Sequence, residues 1–279
     1  MEMVKTKLIV LLLCIGALSG YAQSYEWSCA KMDGSRTGCV APDQENLPAT
    51  LGLFLENGDF RAPNGKVFEA GTSTAGVAAV VAAAQPKMQR VKTVIGYSEN
   101  EMVASKSRET ALSNWFVEVI TDKVAELSGK KIDVAICNHG GIRADMPKGN
   151  VILDDILSMF PFKNNVVYLE HKGSELRKIF ETMAATYFQA IGGVEIVAEG
   201  GKLKKVLIGG EPLDDNKTYS VATISFLLYG GDSLTLAKNA ENLKEYDVQI
   251  VKAVLDYIED LKAQGKNIVA PEVTHVIIK

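Results

Sequence analysis

The chain has 279 residues, enough for one large domain with a small appendage, and its 47% apolar and 23% charged residues are those of a soluble globular protein. A formal net charge of −4 excludes the broad basic face that nucleic-acid polymers demand, so no such polymer is expected as a partner. The histidines are His139, His171 and His275 alone, and they are scattered; a two-metal hydrolytic centre needs several His and Asp ligands around ions about 3.5–4 Å apart, so no metal site and no cofactor are expected in this chain.

Lys5 and Lys7 precede an apolar run over 8–18, and Gly20-Tyr21-Ala22 supplies small residues around a cleavage point. Residues 1–22 therefore read as a secretory signal peptide, which implies an exported, periplasmic or extracellular protein. The run is too short for a permanent membrane anchor. Cys14 sits in the middle of it behind three leucines, which argues against lipid attachment. In an exported chain Cys29 and Cys39 are candidates for a disulfide. Cys137 reads as a buried strand thiol.

Residues 23–76 form a turn-rich extension, punctuated by Asp33-Gly34, Asn57-Gly58-Asp59 and Pro63-Asn64-Gly65. Short strands are expected over 53–55, at Phe60 and over 67–68. Residues 77–93 read as a linker helix, with its regular part over 77–84 and a bend or end near Pro86. A larger, regular domain is expected over 94–279. Apolar residues from Leu112 to Leu127 recur at helical spacing, so 108–127 is predicted as an amphipathic helix closed by Gly129. Strands are predicted over 132–137, 165–170, 218–224 and 275–278, and helices over 153–160, 174–188 and 248–261. Segments 194–198 and 203–208 flank Gly200-Gly201 and read as a hairpin. Helices mixed with strands and a hairpin give an α+β class, a mixed sheet with flanking helices.

The chemistry concentrates in loops. Asn138-His139-Gly140-Gly141-Ile142-Arg143 follows the 132–137 strand. Gly140 and Gly141 allow a close approach of backbone N–H groups to an anion, Asn138 adds a polar side chain, and Arg143 adds a planar fork of donors suited to phosphate. Arg143 equally suits a surface ion pair. His139 reads as a loop donor or packing residue. Phe162 and Phe226 each sit beside turn residues and either clamp a planar base or pack in the core. Asp232 follows Gly230-Gly231; it either accepts from two sugar hydroxyls or bonds its own turn. No Gly-x-Ser-x-Gly nucleophile elbow occurs, so no catalytic residue is assigned.

In order along the chain stand Ile95-Gly96-Tyr97-Ser98-Glu99, Ser107-Arg108-Glu109-Thr110, the segment 138–143, Phe160-Pro161-Phe162, Gly192-Gly193-Val194 and Gly230-Gly231-Asp232. This series resembles the C-terminal domain of the 5′-nucleotidase family, which includes UDP-sugar hydrolases and 2′,3′-cyclic-nucleotide phosphodiesterases. The resemblance runs over 94–279, and the segment 77–88 resembles the family's interdomain helix. It implies that Phe162 and Phe226 sandwich a base, that Asp232 binds the ribose, and that Asn138, Gly140, Gly141 and Arg143 hold the phosphate side. Lys106 stands where the family usually has an arginine; it keeps the charge and loses the bidentate geometry. The family's dimetal catalytic domain lies upstream in one chain. Here the upstream segment is short and lacks histidine. The expectation is therefore a substrate-binding half, inactive alone in phosphomonoester hydrolysis, that works with a separate metallophosphatase subunit carrying the divalent metals. A stand-alone nucleoside- or nucleotide-binding module is the alternative.

Overall fold

The structure, a computed structural model, describes residues 52–279; the expected leader, Cys14 and the Cys29–Cys39 pair lie outside the described residues. The chain divides into two compact units between Gln85 and Pro86.

In the first unit the turn signals produce a three-stranded antiparallel meander, β1 (Leu53–Phe54), β2 (Phe60–Arg61) and β3 (Val67–Phe68). Gly58 and Gly65 take the left-handed backbone that the two turns require. Phe60 is the centre of the meander, its ring 5.3 Å from Phe54 and 6.5 Å from Phe68. The helix that follows spans Ser73–Met88 and contains Pro86. It is longer than the 77–84 stretch read from sequence. Ala82 to Ala84 are strong helix formers, and a proline in the last turn removes one N–H without stopping the winding. The chain then tightens to a 3-10 turn over Gln89–Lys92.

The strands of the second unit are, in chain order, β4 (Val94–Ser98), β5 (Val134–Cys137), β6 (Gly149–Ile152), β7 (Asn165–Lys172), β8 (Ala190–Gly192), β9 (Val194–Glu199), β10 (Lys202–Ile208), β11 (Glu211–Pro212), β12 (Thr218–Ile224), β13 (Glu241–Gln249) and β14 (Val276–Ile278). Five of them form a mixed sheet in the order β13-β7-β12-β5-β8. β12 runs parallel to β5, while β7 is antiparallel to β12 and β8 to β5. A second sheet, β11-β10-β9-β14, carries the predicted hairpin: β9 and β10 are joined through Gly200 and Gly201, both with positive φ. β14 lies parallel to β9, and β4 and β6 pair separately.

The long helix spans Ala111–Ser128 and starts three residues later than its apolar pattern suggests. Thr110 caps it: its Oγ1 accepts from Ser113 N at 3.2 Å, and Ser113 Oγ accepts from Thr110 N at 2.9 Å. Leu112, Trp115, Phe116, Val119, Ile120 and Val124 form its buried face. Further helices occupy Leu153–Met159, Gly173–Ala185 and Ile250–Ala263. The helix predicted over 174–188 ends early because Thr186 leaves helical backbone (φ −119, ψ −86). Cys137 is a free, fully buried thiol, and burial pushes its pKa up.

The strand directions position the candidate loops. Thr223 of β12 sits opposite Ile136 of β5, and Ile224 opposite Val166 of β7. The ends of β5 and β12 and the start of β7 therefore lie together. Cys137 pairs with Ala190, so the start of β8 joins them. The loops holding Asn138–Arg143, Phe162, Gln189 and Phe226–Asp232 all emerge at this one end of the sheet.

Candidate functional site

Asn138 leaves β5 in extended backbone, and the next three residues form a 3-10 turn, His139–Gly141. Asn138 is 5% exposed. Its Nδ2 donates to Asp232 Oδ2 at 3.0 Å, a contact that joins residues 94 positions apart. Its Oδ1 has no partner among the described residues. A Cβ on Gly141 would come 2.6 Å from that Oδ1, so only glycine lets the amide fold under the turn. The turn consumes two of its own amides: Gly141 N donates to Asn138 O at 3.2 Å and Ile142 N to His139 O at 3.1 Å. The cradle of several glycine N–H groups expected from the sequence is thus reduced to the Gly140 N–H.

Arg143 is exposed and forms no ion pair among the described residues. Its Nη1 donates to Gly140 O at 3.3 Å, and its guanidinium lies 5.8 Å from the centre of the Phe162 ring. That stacking orients the cation and leaves its charge uncompensated. Phe162 and Phe226 are 46% and 43% exposed, which rules out the core alternative for both. A Cβ on Gly231 would fall 2.1 Å from Phe226 O and 2.8 Å from its ring, so the glycine lets the Asp232 loop close against that ring. Asp232 itself holds a left-handed backbone at φ 48, followed by Ser233 at φ 63. The loop is fastened behind by Leu236 N to Leu227 O at 3.0 Å and by the His171 imidazole, whose Nε2 meets Leu236 O at 2.9 Å.

The contacts therefore form one series: Phe226, Gly231, Asp232, Asn138, Gly140, Arg143, Phe162. Lys106 stands apart from it. It is exposed on the bend before the long helix and makes no hydrogen bond to the other site residues among the described residues. His139 is 1% exposed, and burial pushes its imidazole down to about 4, against the pull of Glu109 and Asp232. Its backbone N–H donates to Gln189 Oε1 at 3.2 Å. Gln189 carries no signal in the sequence; only the pairing of β8 with β5 brings it beside the loop. Among the described residues no group of three or more His, Cys, Asp or Glu side chains is placed to hold a metal, so the residues here do not fit a dimetal centre.

The comparisons with known proteins agree with the fold. Residues 94–239, just over half of the chain, match the family model described as 5′-nucleotidase, C-terminal domain. The protein UshA of Yersinia enterocolitica is 31% identical over 148 residues, covering 51% of this chain and 26% of that protein. An apyrase of Tabanus yao is 33% identical over 147 residues, covering 43% of this chain and 26% of that protein. The match thus spans about a quarter of the length of these curated relatives. The crystal structure of a 5′-nucleotidase precursor from Thermus thermophilus superposes with a TM-score of 0.64 at 25% identity, covering 74% of this chain and 43% of that one. A Haemophilus influenzae NAD nucleotidase shares the fold, with a TM-score of 0.57 at 17% identity over 79% of this chain and 48% of that one.

Proposed function

Because the chain belongs to the family of 5′-nucleotidase C-terminal domains, we propose that residues 94–279 recognise a nucleotide at the common end of β5, β7 and β12. The exposed rings of Phe162 and Phe226 clasp the base. Asp232, held by Asn138, accepts from the ribose hydroxyls. Arg143 and the Gly140 N–H receive the phosphate, with Lys106 adding positive charge. The observation that carries this reading is the Asn138–Asp232 hydrogen bond at 3.0 Å, which ties the anion loop to the sugar-binding loop. It brings the carboxylate of one loop to the loop that carries the Arg143 cation, an arrangement that suits a ligand with an anionic end and a hydroxylated middle.

The bond-breaking chemistry belongs to a metallophosphatase outside residues 52–279. We assign it to a separate exported subunit, which makes this chain the substrate-specificity half of a nucleotide-degrading hydrolase in the periplasm or outside the cell. No helix among the described residues is long and apolar enough to cross a membrane.

Calorimetry with AMP, adenosine and inorganic phosphate tests the recognition step. AMP is expected to bind more tightly than either fragment; equal affinity for AMP and adenosine removes the phosphate role of Arg143. Adding candidate exported metallophosphatases and following phosphate release from AMP tests the partnership. Brisk hydrolysis by the purified full chain alone counts against a separate subunit. Tight AMP binding with no gain from any partner supports the binding-module alternative.

A further inference from the structure

A cavity of about 560 Å³ in the second unit is lined by His139 and includes none of Arg143, Phe162, Phe226 or Asp232. Its volume falls within the roughly 300–1,000 Å³ typical of small-molecule sites. One wall is apolar, with Ile191 and Val276; Tyr187, 41% exposed, stands at the rim. Arg108 also lines it, is exposed, and forms no ion pair among the described residues.

The remaining wall carries polar groups of fixed character. Asn114 is 3% exposed, and its Nδ2 donates to Glu109 Oε1 and to Val273 O, each at 2.9 Å. Both partners are acceptors, so the amide cannot be turned over, and Oδ1 is left as an acceptor with no donor among the described residues. The Glu109 carboxylate is itself satisfied: besides Asn114 it accepts from His275 N at 2.8 Å and Val276 N at 3.0 Å. It braces the wall from behind, holding the helix N-terminus to the 273–276 segment. His139 Nδ1 is the second buried atom there without a partner. Buried polar groups are normally satisfied; both orphans are sealed from solvent, so they lie beneath the polar wall of the cleft.

We propose that this cleft is a second binding site, for a small organic anion with a flat or apolar body. The anion meets Arg108, and the body lies against Tyr187 and the apolar wall. The site is separate from the nucleotide reading and stands whether or not AMP binds.

The probe is 4-aminobenzoate, titrated into the 15N-labelled full chain. Saturable amide shifts are expected around Tyr187, Gln189 and Ala111. Arg108→Ala is expected to weaken the apparent affinity at least fivefold, and Thr186→Trp, which fills the rim from an exposed position, to abolish it. An otherwise unchanged spectrum confirms that both variants fold. AMP at saturation leaves the shifts in place. Absence of saturable shifts, shifts confined to residues 226–232, or titrations indifferent to both variants would each overturn the proposal.

Discussion

The two faces of the His139 loop differ in how their polar groups are satisfied. Toward Phe162 and Phe226 the groups are exposed and uncompensated: a guanidinium with no carboxylate, two rings in water, and an aspartate tied by a single hydrogen bond. Toward the long helix they are buried and locked, with the Glu109 carboxylate taking three donors and the His139 imidazole held neutral. One strand end can thus serve two surfaces that share an exposed guanidinium and differ in how firmly the groups behind it are fixed. An exposed, charge-bearing face suits a ligand that arrives with its own charge. A braced face with an apolar wall and a guanidinium at its rim selects by shape as well as by charge.

The sharpest way to break this division is to remove both rings. Phe162→Ala with Phe226→Ala is expected to weaken AMP binding by about 2–6 kcal/mol, since each base–aromatic stack contributes roughly 1–3. Calorimetry reads this directly, and an unchanged affinity eliminates the clamp. Binding of 4-aminobenzoate should be untouched in the same protein.

The buried face is probed by pH. The His139 pKa is about 4 in the fold against an ordinary value of 6.5. Between these values the unfolded chain binds a proton that the folded chain refuses. Stability from this group is therefore complete above pH 6.5 and is lost as pH falls toward 4, by up to about 3 kcal/mol. Urea unfolding at about pH 7.5 and about pH 4.5, on either side of most of that window, measures the loss. His139→Gln should flatten that part of the profile; a slope identical to the parent's refutes the assignment.

Asp232→Asn gives the smallest effect. The amide oxygen still accepts from Asn138, so the loops stay joined while the charge facing the sugar disappears. A loss of about 1 kcal/mol in adenosine affinity is expected, the difference between a hydrogen bond to a charged acceptor (roughly 1.5–3) and one to a neutral acceptor (roughly 1). No loss in adenosine binding, with AMP binding improved, would show that the carboxylate acts only by repelling the phosphate.

Periodic elements are readable in the sequence, and polar ones are hidden. The strand at 218–224 appears with the predicted bounds because its residues are mostly β-branched or aromatic and nearly all buried. β13 gives no such signal: Glu-Asn-Leu-Lys-Glu-Tyr-Asp-Val-Gln is an edge strand, mostly exposed, with no alternation to betray it. Within the site, Asn138, Gly140, Arg143 and Asp232 can be picked out by residue type. Their order in space cannot, because it depends on β12 lying parallel to β5 and β7 antiparallel to β12. The orphaned Asn114 oxygen is invisible for the same reason. The partners of its amide, Glu109 and Val273, are 5 and 159 positions away.

Asp232 has a Cβ on a backbone that turns the wrong way for one, at φ 48. Aspartate, asparagine and glycine tolerate this geometry at little cost, whereas longer or branched side chains lose about 1–2 kcal/mol there. The acid–amide pair is thus the narrow alphabet from which this corner can be respelled. A lineage could switch the loop from negative to neutral in one codon step, while glutamate, though chemically the nearest acid, is screened out by the chain's own chirality.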